Sequence, residues 1–574
     1  MKSNTDNNDI DNSEPMLEST SSKKSRSKGC CADISSYPKG VFFMLGNEFC
    51  ERFSFYGMRA ILTLYLVTQH GLGDSTAKLI FHAFVTLCYF SPLAGSILAD
   101  AFIGRFKVIL YFSLIYCVGH IFLTLGAVPN LGAGGQALDY VGLFVIAVAT
   151  GGIKPCVSAF AADQFPETME RQRSQFFSFF YFAINAGALG SKILTPLLRG
   201  AVSCLGKETC FPLAFGVPAI LMFVATIIFI AGWRHFTIRQ KSGNTVLCQV
   251  AGCVFSALKN RCRKGSTEAA SHWLDYADAK YGKKLVEDTK HLTNVVILLL
   301  PLAVFWALFD QQGSTWLLQA TRMDGRVGSI TILPDQMSLL NPLLIITLVP
   351  LFEGLVYPVL GGFWFFRTSL RRMAVGGTLA ALSFVVAGFL QLHMNKISAT
   401  STYEIWLEVD GSTNSSLLLP KLPFAMGAVY ALTVVNEKAW SKLVTLVPPN
   451  RISILWLVPQ YIIITVGEIL FSITGLEFSY SQAPQSLKSV VQAMWLLTVA
   501  FGNAMDMAIS GSHIIPQPDI EFFVYAAIMG LVMLLFIILA HKYNYADYDH
   551  ESRSSQISLE ERDRLQNSEQ EKQL

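Results

Sequence analysis

The chain has 574 residues, of which 52% are hydrophobic and 15% are charged, and its formal net charge is +3. Soluble domains carry about 25% charged residues, so this composition excludes an ordinary soluble domain and indicates a helical protein with several membrane spans. The small net charge gives no reason to expect nucleic-acid binding. Residues 1–36 contain no apolar stretch typical of a signal peptide. The eleven cysteines show no metal-ligand spacing, so no metal site is expected.

A helix needs about 20 apolar residues to cross the hydrocarbon core of a bilayer. Twelve segments meet this requirement, and they lie near 40–69, 77–99, 106–128, 138–162, 175–198, 212–233, 293–318, 336–361, 371–393, 452–475, 487–510 and 518–541. The shorter apolar run 422–435 ends at Asn436, Glu437 and Lys438, so we expect it to lie outside the membrane. The sequence therefore predicts an all-α polytopic membrane protein with twelve transmembrane helices.

Basic residues give the predicted orientation. Residues 234–291 contain eleven lysines and arginines, whereas the predicted outer loop 129–139 has none. Because basic loops stay on the cytoplasmic side of a membrane, both termini are expected to be cytoplasmic. The predicted organisation is a disordered N-terminal tail (1–39), a six-helix bundle (40–233), a basic cytoplasmic linker (234–292), a second six-helix bundle (293–541) with a short extracellular insertion (394–451), and a cytoplasmic C-terminal tail (542–574).

The first span contains an unusual concentration of charge. Glu48, Glu51, Arg52 and Arg59 lie within an apolar segment, where each ionisable group costs at least a few kcal/mol. The spacing places Glu48, Glu51 and Arg52 on one face of a helix. A carboxylate beside an arginine is held ionised, and protonation weakens the pair. We therefore expect this cluster to couple proton binding to a conformational change. The alternative is a static ion-pair network that holds helices together.

Other spans also contain ionisable residues. His82 in the second span titrates near neutral pH, which suits a proton relay, and the alternative is a core histidine with satisfied hydrogen bonds. Lys154 in the fourth span is expected to need an anionic partner. Glu468 supplies a carboxylate in span ten of the second half. Cations in one bundle and a carboxylate in the other match a substrate that carries both charges, such as an amino acid or a short peptide.

Two six-helix halves joined by a basic linker resemble the major facilitator superfamily, in which two bundles rock around a midplane site. Several strings resemble the proton-coupled oligopeptide transporter family within it. They are Glu48-x-x-Glu51-Arg52-Phe53 and the segments 95–104, 180–187, 305–314 and 475–484. The last two segments look like the animal di- and tripeptide transporters in particular. The resemblance covers about 40–393 and 452–541, which is most of the chain.

The resemblance implies roles for individual residues. The proton-coupling group would consist of Glu48, Glu51, Arg52 and His82. The substrate site would consist of Arg52, Tyr56, Arg59, Tyr89, Lys154, Tyr181, Asn185, Trp306, Gln312, Asn341, Glu468 and Trp495. The cationic members of this set would bind the peptide carboxylate, whereas Asn185, Asn341 and Glu468 would hold its amino terminus.

The sequence departs from the family pattern at several positions. Phe55 stands where the animal transporters carry a tyrosine, which removes a hydroxyl group from the expected cavity. Asn294 and Glu353 occupy the positions of an arginine and an aspartate that would form a gate-like ion pair. Lys290 or His291, about one turn earlier, would then have to supply the cation.

Two covalent features are expected on the outer side of the membrane. Cys204 and Cys210 lie in the predicted outer loop after span five, where the environment permits a disulfide. Asn414 begins an Asn-Ser-Ser sequon in the outer segment 394–451, which is where an N-glycosylation acceptor must lie.

The sequence thus predicts a symporter that imports di- and tripeptides, and peptide-like drugs, together with protons by alternating access. Protons would be the coupling ion, no cofactor would be needed, and the chain would not be an enzyme. It would work as a monomer in the lipid bilayer of the plasma membrane, with an endolysosomal membrane as the alternative. Two other functions remain open at this point. One is a family relative that carries histidine, nitrate or another anion, and the other is a peptide sensor that does not transport.

Overall fold

The structure is a computed structural model. It describes residues 37–238, 246–264, 271–363, 366–399, 404–408, 429–435, 440–447, 452–484, 487–512, 515, 517–543 and 545. The chain divides into two units, Met1–Pro38 and Lys39–Leu574, and every element below belongs to the second. The predicted glycosylation site Asn414 and most of both predicted tails lie outside the described residues.

The first half of the second unit forms six long helices. They are α1 (Gly40–Thr68), α2 (Asp74–Ile97), α3 (Arg105–Gly126), α4 (Gly132–Ala162), α5 (Glu170–Gly200) and α6 (Phe211–Ala231). A π-helical segment, Leu98–Ile103, extends α2. The chain then turns into α3 at Gly104, whose φ of +85° is a left-handed conformation that favours glycine. The six predicted spans of this half are therefore helices close to their expected bounds.

The second half contains more breaks in its helices. The elements are α7 (Val246–Lys264), α8 (Asp278–Tyr281), α9 (Lys283–Asp310), α10 (Thr315–Thr321), α11 (Leu340–Leu351), α12 (Tyr357–Leu360), α13 (Ser369–Ala399), α14 (Val458–Glu468), α15 (Thr474–Ser481), α16 (Lys488–Ser512) and α17 (Pro518–Lys542). Two π-helical segments, Phe352–Val356 and Ile469–Ile473, join α11 to α12 and α14 to α15. The bundle is therefore built from six stretches, several of which are interrupted by 3₁₀ or π-helical segments.

Short strands form two small sheets. In the first, β1 (Arg326–Val327) pairs antiparallel with β2 (Ile330–Thr331). In the second, β3 (Glu404–Glu408), β5 (Trp440–Val447) and β4 (Val429–Val435) lie in the order β3-β5-β4, all antiparallel. Part of the apolar run 422–435 thus forms a strand and not a helix, consistent with its predicted place outside the membrane.

The described part of the chain has eleven helical stretches that are long and apolar enough to cross a membrane. Helix α1 has the length of a span at 29 residues but carries four ionisable residues in its interior. Many large apolar side chains on the outer helix faces are exposed, among them Phe182, Ile220 and Leu531, and lipid is the environment in which such faces are stable. The chain is a multi-pass helical membrane protein, and the count of twelve spans depends on α1.

The predicted linker 234–292 contains helices and a small core of its own. Helix α7 packs on the turn Trp273–Ala277 and on the start of α9 through a small apolar core formed by Cys253, Ala257, Leu274, Ala277 and Val286. Helix α9 already begins at Lys283, well before the expected start of span seven at 293. The linker is therefore largely helical where the structure describes it, because it buries an apolar face of its own.

Lys290 takes part in this linker contact. Its Nζ lies 2.7 Å from Asp275 and 2.9 Å from Glu287. The Lys290 ammonium and the Ser271 hydroxyl hold the pKa of Asp275 down, at about 2. His291 also lies near Glu287, at 3.8 Å. Lys290 therefore pairs within the linker, and the suggested pairing of Lys290 or His291 with Glu353 stays a prediction.

Helices α2 and α4 cross at glycines, and this contact gives a stability prediction. A Cβ atom at Gly95 would overlap the carbonyl oxygen of Gly151 and lie 2.8 Å from Gly152 Cα. Replacing Gly95 with valine is expected to force the helices apart and to cost about 1–3 kcal/mol. The measurement is the melting temperature and the monodisperse fraction of purified protein in detergent. Gly530 on α17 is the control, since its added Cβ meets nothing within 4 Å. Equal stability of the two valine variants would contradict the prediction.

Candidate functional site

A cavity of about 390 Å³ lies between the two helical halves. Ligand cavities for small molecules begin at about 300 Å³, so this one has room for a small solute. Ten residues of the predicted substrate site line it: Tyr56, Arg59, Tyr89, Tyr181, Asn185, Trp306, Gln312, Asn341, Glu468 and Trp495. The other two predicted members, Arg52 and Lys154, do not line the cavity. The cavity thus gathers side chains from helices that are hundreds of residues apart in sequence.

The charged cluster of α1 is buried beside the cavity. Arg52 Nε lies 2.6 Å from Glu48 Oε1 and 2.9 Å from Glu51 Oε2. Of these two contacts, the one with Glu48 has the geometry of a hydrogen bond. Both carboxylate oxygens of Glu51 are buried without a hydrogen-bond partner in the described structure. Glu51 is therefore the carboxylate of this cluster that has most to gain from binding a proton.

Lys154 has aromatic partners in place of the anion that the sequence suggested. Its Nζ lies 4.2 Å from the ring centroid of Phe55 and 3.9 Å from that of Tyr89. Within the described chain, Nζ is buried without a hydrogen bond. Two ring faces can hold a desolvated ammonium group, and the anionic partner expected for Lys154, which includes a substrate carboxylate, stays a prediction. Phe55 is fully buried and serves here as one of the two faces.

Arg59 is paired across the two bundles. Its guanidinium donates to Asp310 Oδ1 at 2.5 Å, and both residues line the cavity. Asp310 is the last residue of α9, and a short 3₁₀ turn follows it. The predicted cationic side of the cavity is therefore partly neutralised from the opposite bundle, a contact that the sequence analysis missed.

Glu468 lies on the second bundle at the end of α14. Asn341 donates from Nδ2 to Glu468 Oε2 at 2.8 Å, so one carboxylate oxygen is fixed towards α11. Asn185 on α5 donates to the carbonyl of Tyr181. Trp306 and Trp495 stand edge to face with ring centroids 6.4 Å apart. The carboxylate thus lies at one end of a cavity whose walls include aromatic rings.

His82 is fully buried and lies outside the cavity. Its Nε2 is 2.9 Å from Ser314 Oγ, and its Nδ1 is 2.9 Å from Asn503 Oδ1. The amide nitrogen of Asn503 donates to Asp310 Oδ2 at 2.6 Å, which fixes the amide orientation, so Nδ1 of His82 carries the proton in that contact. His82 is thereby linked through Asn503 to the Arg59–Asp310 pair of the cavity.

Asp506 is a second carboxylate next to His82 that the sequence analysis missed. Its Oδ2 lies 3.4 Å from His82 Nδ1, and its Oδ1 accepts a hydrogen bond from Tyr525 at 2.7 Å. The residue is fully buried. An aspartate inside the apolar span 487–510 was the available signal, since an ionisable residue within a membrane span indicates a functional site.

Ion pairs between the two bundles lie at one end of the molecule. Arg59–Asp310 and the His82–Asp506 contact lie in the interior. The others among the described residues are Lys78–Glu521 at 2.6 Å, Arg199–Asp335 at 2.8 Å and Arg322–Asp74 at 2.7 Å. They surround the end of the bundles that carries the loop between α5 and α6. The corresponding pairs at the other end, Arg105 with Asp100 and Asp163, stay within the first bundle. The cavity is therefore closed at the end that carries the α5–α6 loop.

The loop at that end contains the expected disulfide. Cys204 and Cys210 are joined covalently, and the backbone of Cys204 pairs with that of Lys207 inside the loop.

Asn294 and Glu353, the positions of the gate-like pair, are both exposed and lie on separate helical stretches. Asparagine carries no charge, so Asn294 cannot form an ion pair with Glu353. The described residues show no other ion pair for Glu353.

Sequence comparison places these features in a known group of proteins. A sequence profile described as the POT family matches residues 106–414 and 417–515. The chain is 41% identical to peptide transporter 3 of Caenorhabditis elegans, over 91% of this chain and 95% of that protein. It is 36% identical to solute carrier family 15 member 1 of Oryctolagus cuniculus, over 89% of this chain and 94% of that protein.

Solved structures give the same result. An auto-inhibited POT family peptide transporter superposes with a TM-score of 0.68 at 30% identity, over 89% of this chain and 98% of that one. The POT family transporter PepTSo superposes with a TM-score of 0.68 at 29% identity, over 88% and 98%. The profile covers more than half of the residues, and the identities extend over nearly the whole length. This chain is a member of the POT family.

Proposed function

We propose that this protein is a proton-coupled symporter that imports di- and tripeptides, and peptide-like drugs, by alternating access. The observation that carries the proposal is the cavity between the bundles, where Glu468 of one bundle and Arg59 of the other face the same space. A short peptide has an ammonium group at one end and a carboxylate at the other, so it can engage both. Relatives that are named peptide transporters support the same reading.

The position of the ion pairs supports a specific conformation. With the termini in the cytoplasm, the end closed by Arg199–Asp335 and Lys78–Glu521 faces outward. The structure then corresponds to an inward-facing state. Opening outward requires these pairs to separate, and closing the cytoplasmic end must compensate for their loss. Alternating access is in this view an exchange of contacts between two ends of the same cavity.

Two buried groups carry the proposed proton coupling. Glu51 lies beside Arg52 without a hydrogen bond, and His82 connects to the cavity through Asn503 and Asp310. Each proton moved inward gains about 2.3 kcal/mol per 100 mV of membrane potential. A pH gradient adds about 1.4 kcal/mol per unit. These gains are large enough to drive a peptide against its own gradient.

The proposal also covers the location, the coupling ion and the oligomeric state of the protein. The family consists of transporters, in agreement with the expectation that the chain is not an enzyme. We propose the plasma membrane as its location, protons as its coupling ion without a further cofactor, and a monomer as its working form. The relatives' names support transport, and the lipid-facing apolar surface supports a membrane location.

The alternative of an inorganic anion carrier is less well supported by the site. Glu468 places a negative charge at the cavity wall, where it repels an anion such as nitrate. A peptide sensor that does not transport is a further alternative. Its binding site would have the same chemistry, so only a transport measurement separates the two.

The test is uptake of labelled Ala-Ala by proteoliposomes across an imposed pH gradient. We expect accumulation that requires an acidic exterior and that unlabelled dipeptides suppress, whereas free histidine and nitrate do not. Counterflow without a gradient separates a carrier from a sensor, since only a carrier exchanges labelled for unlabelled peptide. Accumulation that nitrate or histidine suppresses as strongly as dipeptides do, or the absence of counterflow, would overturn the proposal.

A further inference from the structure

Some of the charged side chains that line the cavity have no ion-pair contact among the described residues. Five acidic or basic side chains reach its wall: Arg59, Lys192, Asp310, Asp335 and Glu468. Arg59 is paired with Asp310, and Asp335 accepts two hydrogen bonds from Arg199 at 2.8 and 3.0 Å. Lys192 and Glu468 remain, and within the described residues neither has an ion-pair contact, although the two charges act on each other at longer range. Glu468 suits the peptide ammonium, which leaves Lys192 as a cation without an assigned ligand.

Lys192 is placed so that it can still bind an anion. It lies on α5 seven residues after Asn185, which puts both on one face of the helix about two turns apart. Its Nζ donates to the carbonyl oxygen of Ser338 at 3.1 Å and lies 5.8 Å from the ring centroid of Tyr56. A lysine ammonium has three donors, so two remain for a ligand in the cavity.

The partner of Lys192 shows which end of a peptide it meets. Ser338 lies three residues before Asn341, and Asn341 holds the carboxylate of Glu468. The three side chains therefore share the end of the cavity where the peptide ammonium is expected. An ammonium repels a lysine, so at this end the substrate main chain offers Lys192 neutral carbonyl oxygens but no counter-charge. A negatively charged side chain on the first residue of the peptide is the group that can reach it.

We infer that Lys192 is a specificity-determining residue that binds the side-chain carboxylate of an acidic first residue, so that peptides of the form Asp-X and Glu-X are preferred substrates. This inference rests on the proposed function, because it assumes a bound peptide with its ammonium at Glu468. The same geometry disfavours a lysine or arginine as the first residue. An acidic second residue gains nothing, since its side chain lies towards the other end of the cavity.

The experiment compares nearly isosteric peptides, so that the ratio within each protein is the readout. Uptake efficiency (kcat/KM) is measured for Asp-Ala against Asn-Ala, and for Ala-Asp against Ala-Asn, in the full-length chain and in Lys192→Gln. The variant loses a charge-assisted hydrogen bond to the peptide side chain, and water in the cavity compensates for part of that loss. We expect the Asp-Ala to Asn-Ala ratio to fall about tenfold in Lys192→Gln. The Ala-Asp to Ala-Asn ratio should stay within about twofold.

Two further variants serve as controls. Lys192→Arg should keep the preference for Asp-Ala, since it keeps the charge. Lys207→Gln removes a positive charge from the exposed disulfide loop and should show the ratios of the unaltered protein. If Lys192→Gln does not fold, the unaltered protein still decides, because a preference for Asn-Ala over Asp-Ala would overturn the inference.

Other outcomes also overturn it. An equal loss for all four peptides in Lys192→Gln would assign the lysine to the terminal carboxylate that every peptide carries. An unchanged Asp-Ala to Asn-Ala ratio would leave the lysine without a role in selection. Failure of the proposed function looks different, since the unaltered protein would then take up none of the four peptides.

Discussion

Replacing Glu51 with glutamine is expected to abolish uptake driven by a pH gradient, while counterflow of labelled peptide continues at a measurable rate. Glutamine has the shape and neutrality of a protonated glutamate. The variant can therefore reorient with peptide bound, but it no longer binds the proton that makes transport uphill. The choice of Glu51 follows from its burial and from the absence of a hydrogen bond to either oxygen in the described structure.

Proteoliposomes with and without a pH gradient provide the measurement. Glu208→Gln is the matched control, since Glu208 lies exposed in the disulfide loop and should leave both activities unchanged. Glu48→Gln gives an informative contrast, because Glu48 accepts the hydrogen bond from Arg52 at 2.6 Å. Its loss leaves a buried arginine with one poorly aligned partner, which costs stability as well as coupling. Undiminished pH-driven uptake by the Glu51 variant would refute the assignment.

Replacing Glu468 with glutamine is expected to raise the KM for Ala-Ala at least tenfold. The substitution keeps the hydrogen bond to Asn341 within reach but removes the negative charge that faces the peptide ammonium. A hydrogen bond to a charged group contributes about 1.5–3 kcal/mol, which corresponds to one or two orders of magnitude in affinity. The concentration dependence of uptake measures the effect.

The control for this variant is Glu477→Gln, since Glu477 is exposed on α15 of the same bundle. An unchanged KM in Glu468→Gln would remove the carboxylate from the substrate site. Loss of peptide uptake combined with retained transport of an anion would instead favour the anion-carrier alternative. The two results are distinguishable because nitrate carries no ammonium group for Glu468 to bind.

Much of the site was predictable because some of its geometry is local. Glu48 and Arg52 lie four residues apart, and helical periodicity alone places them together. Ten of the twelve predicted substrate residues reach one cavity, since the family resemblance supplied information that periodicity does not contain. The role of Arg52 and Lys154 in substrate binding stays a prediction, because neither lines the cavity wall. Their distance from it depends on how neighbouring helices are rotated.

The residues of the site that the sequence analysis did not identify share one property. Lys192 and Asp506 are single ionisable groups in apolar spans, and each could have been noted as costly at membrane depth. Nothing in the sequence identifies their partners. Asp310 meets Arg59 across 251 positions of sequence, and Asp506 meets His82 from another helix.

The sequence by itself determined the class of protein, the positions of the helices and the charge cluster of α1. These features depend on composition and on contacts within one helix, where the spacing of residues fixes the geometry. Only the tertiary structure decided that Lys154 lies between two aromatic rings and that Lys192 faces the cavity beside Ser338. It also decided that the bundles are joined by ion pairs at one end. The physical reason is that a buried charge is stabilised by whatever group packing brings to it, and packing joins helices that are distant in sequence.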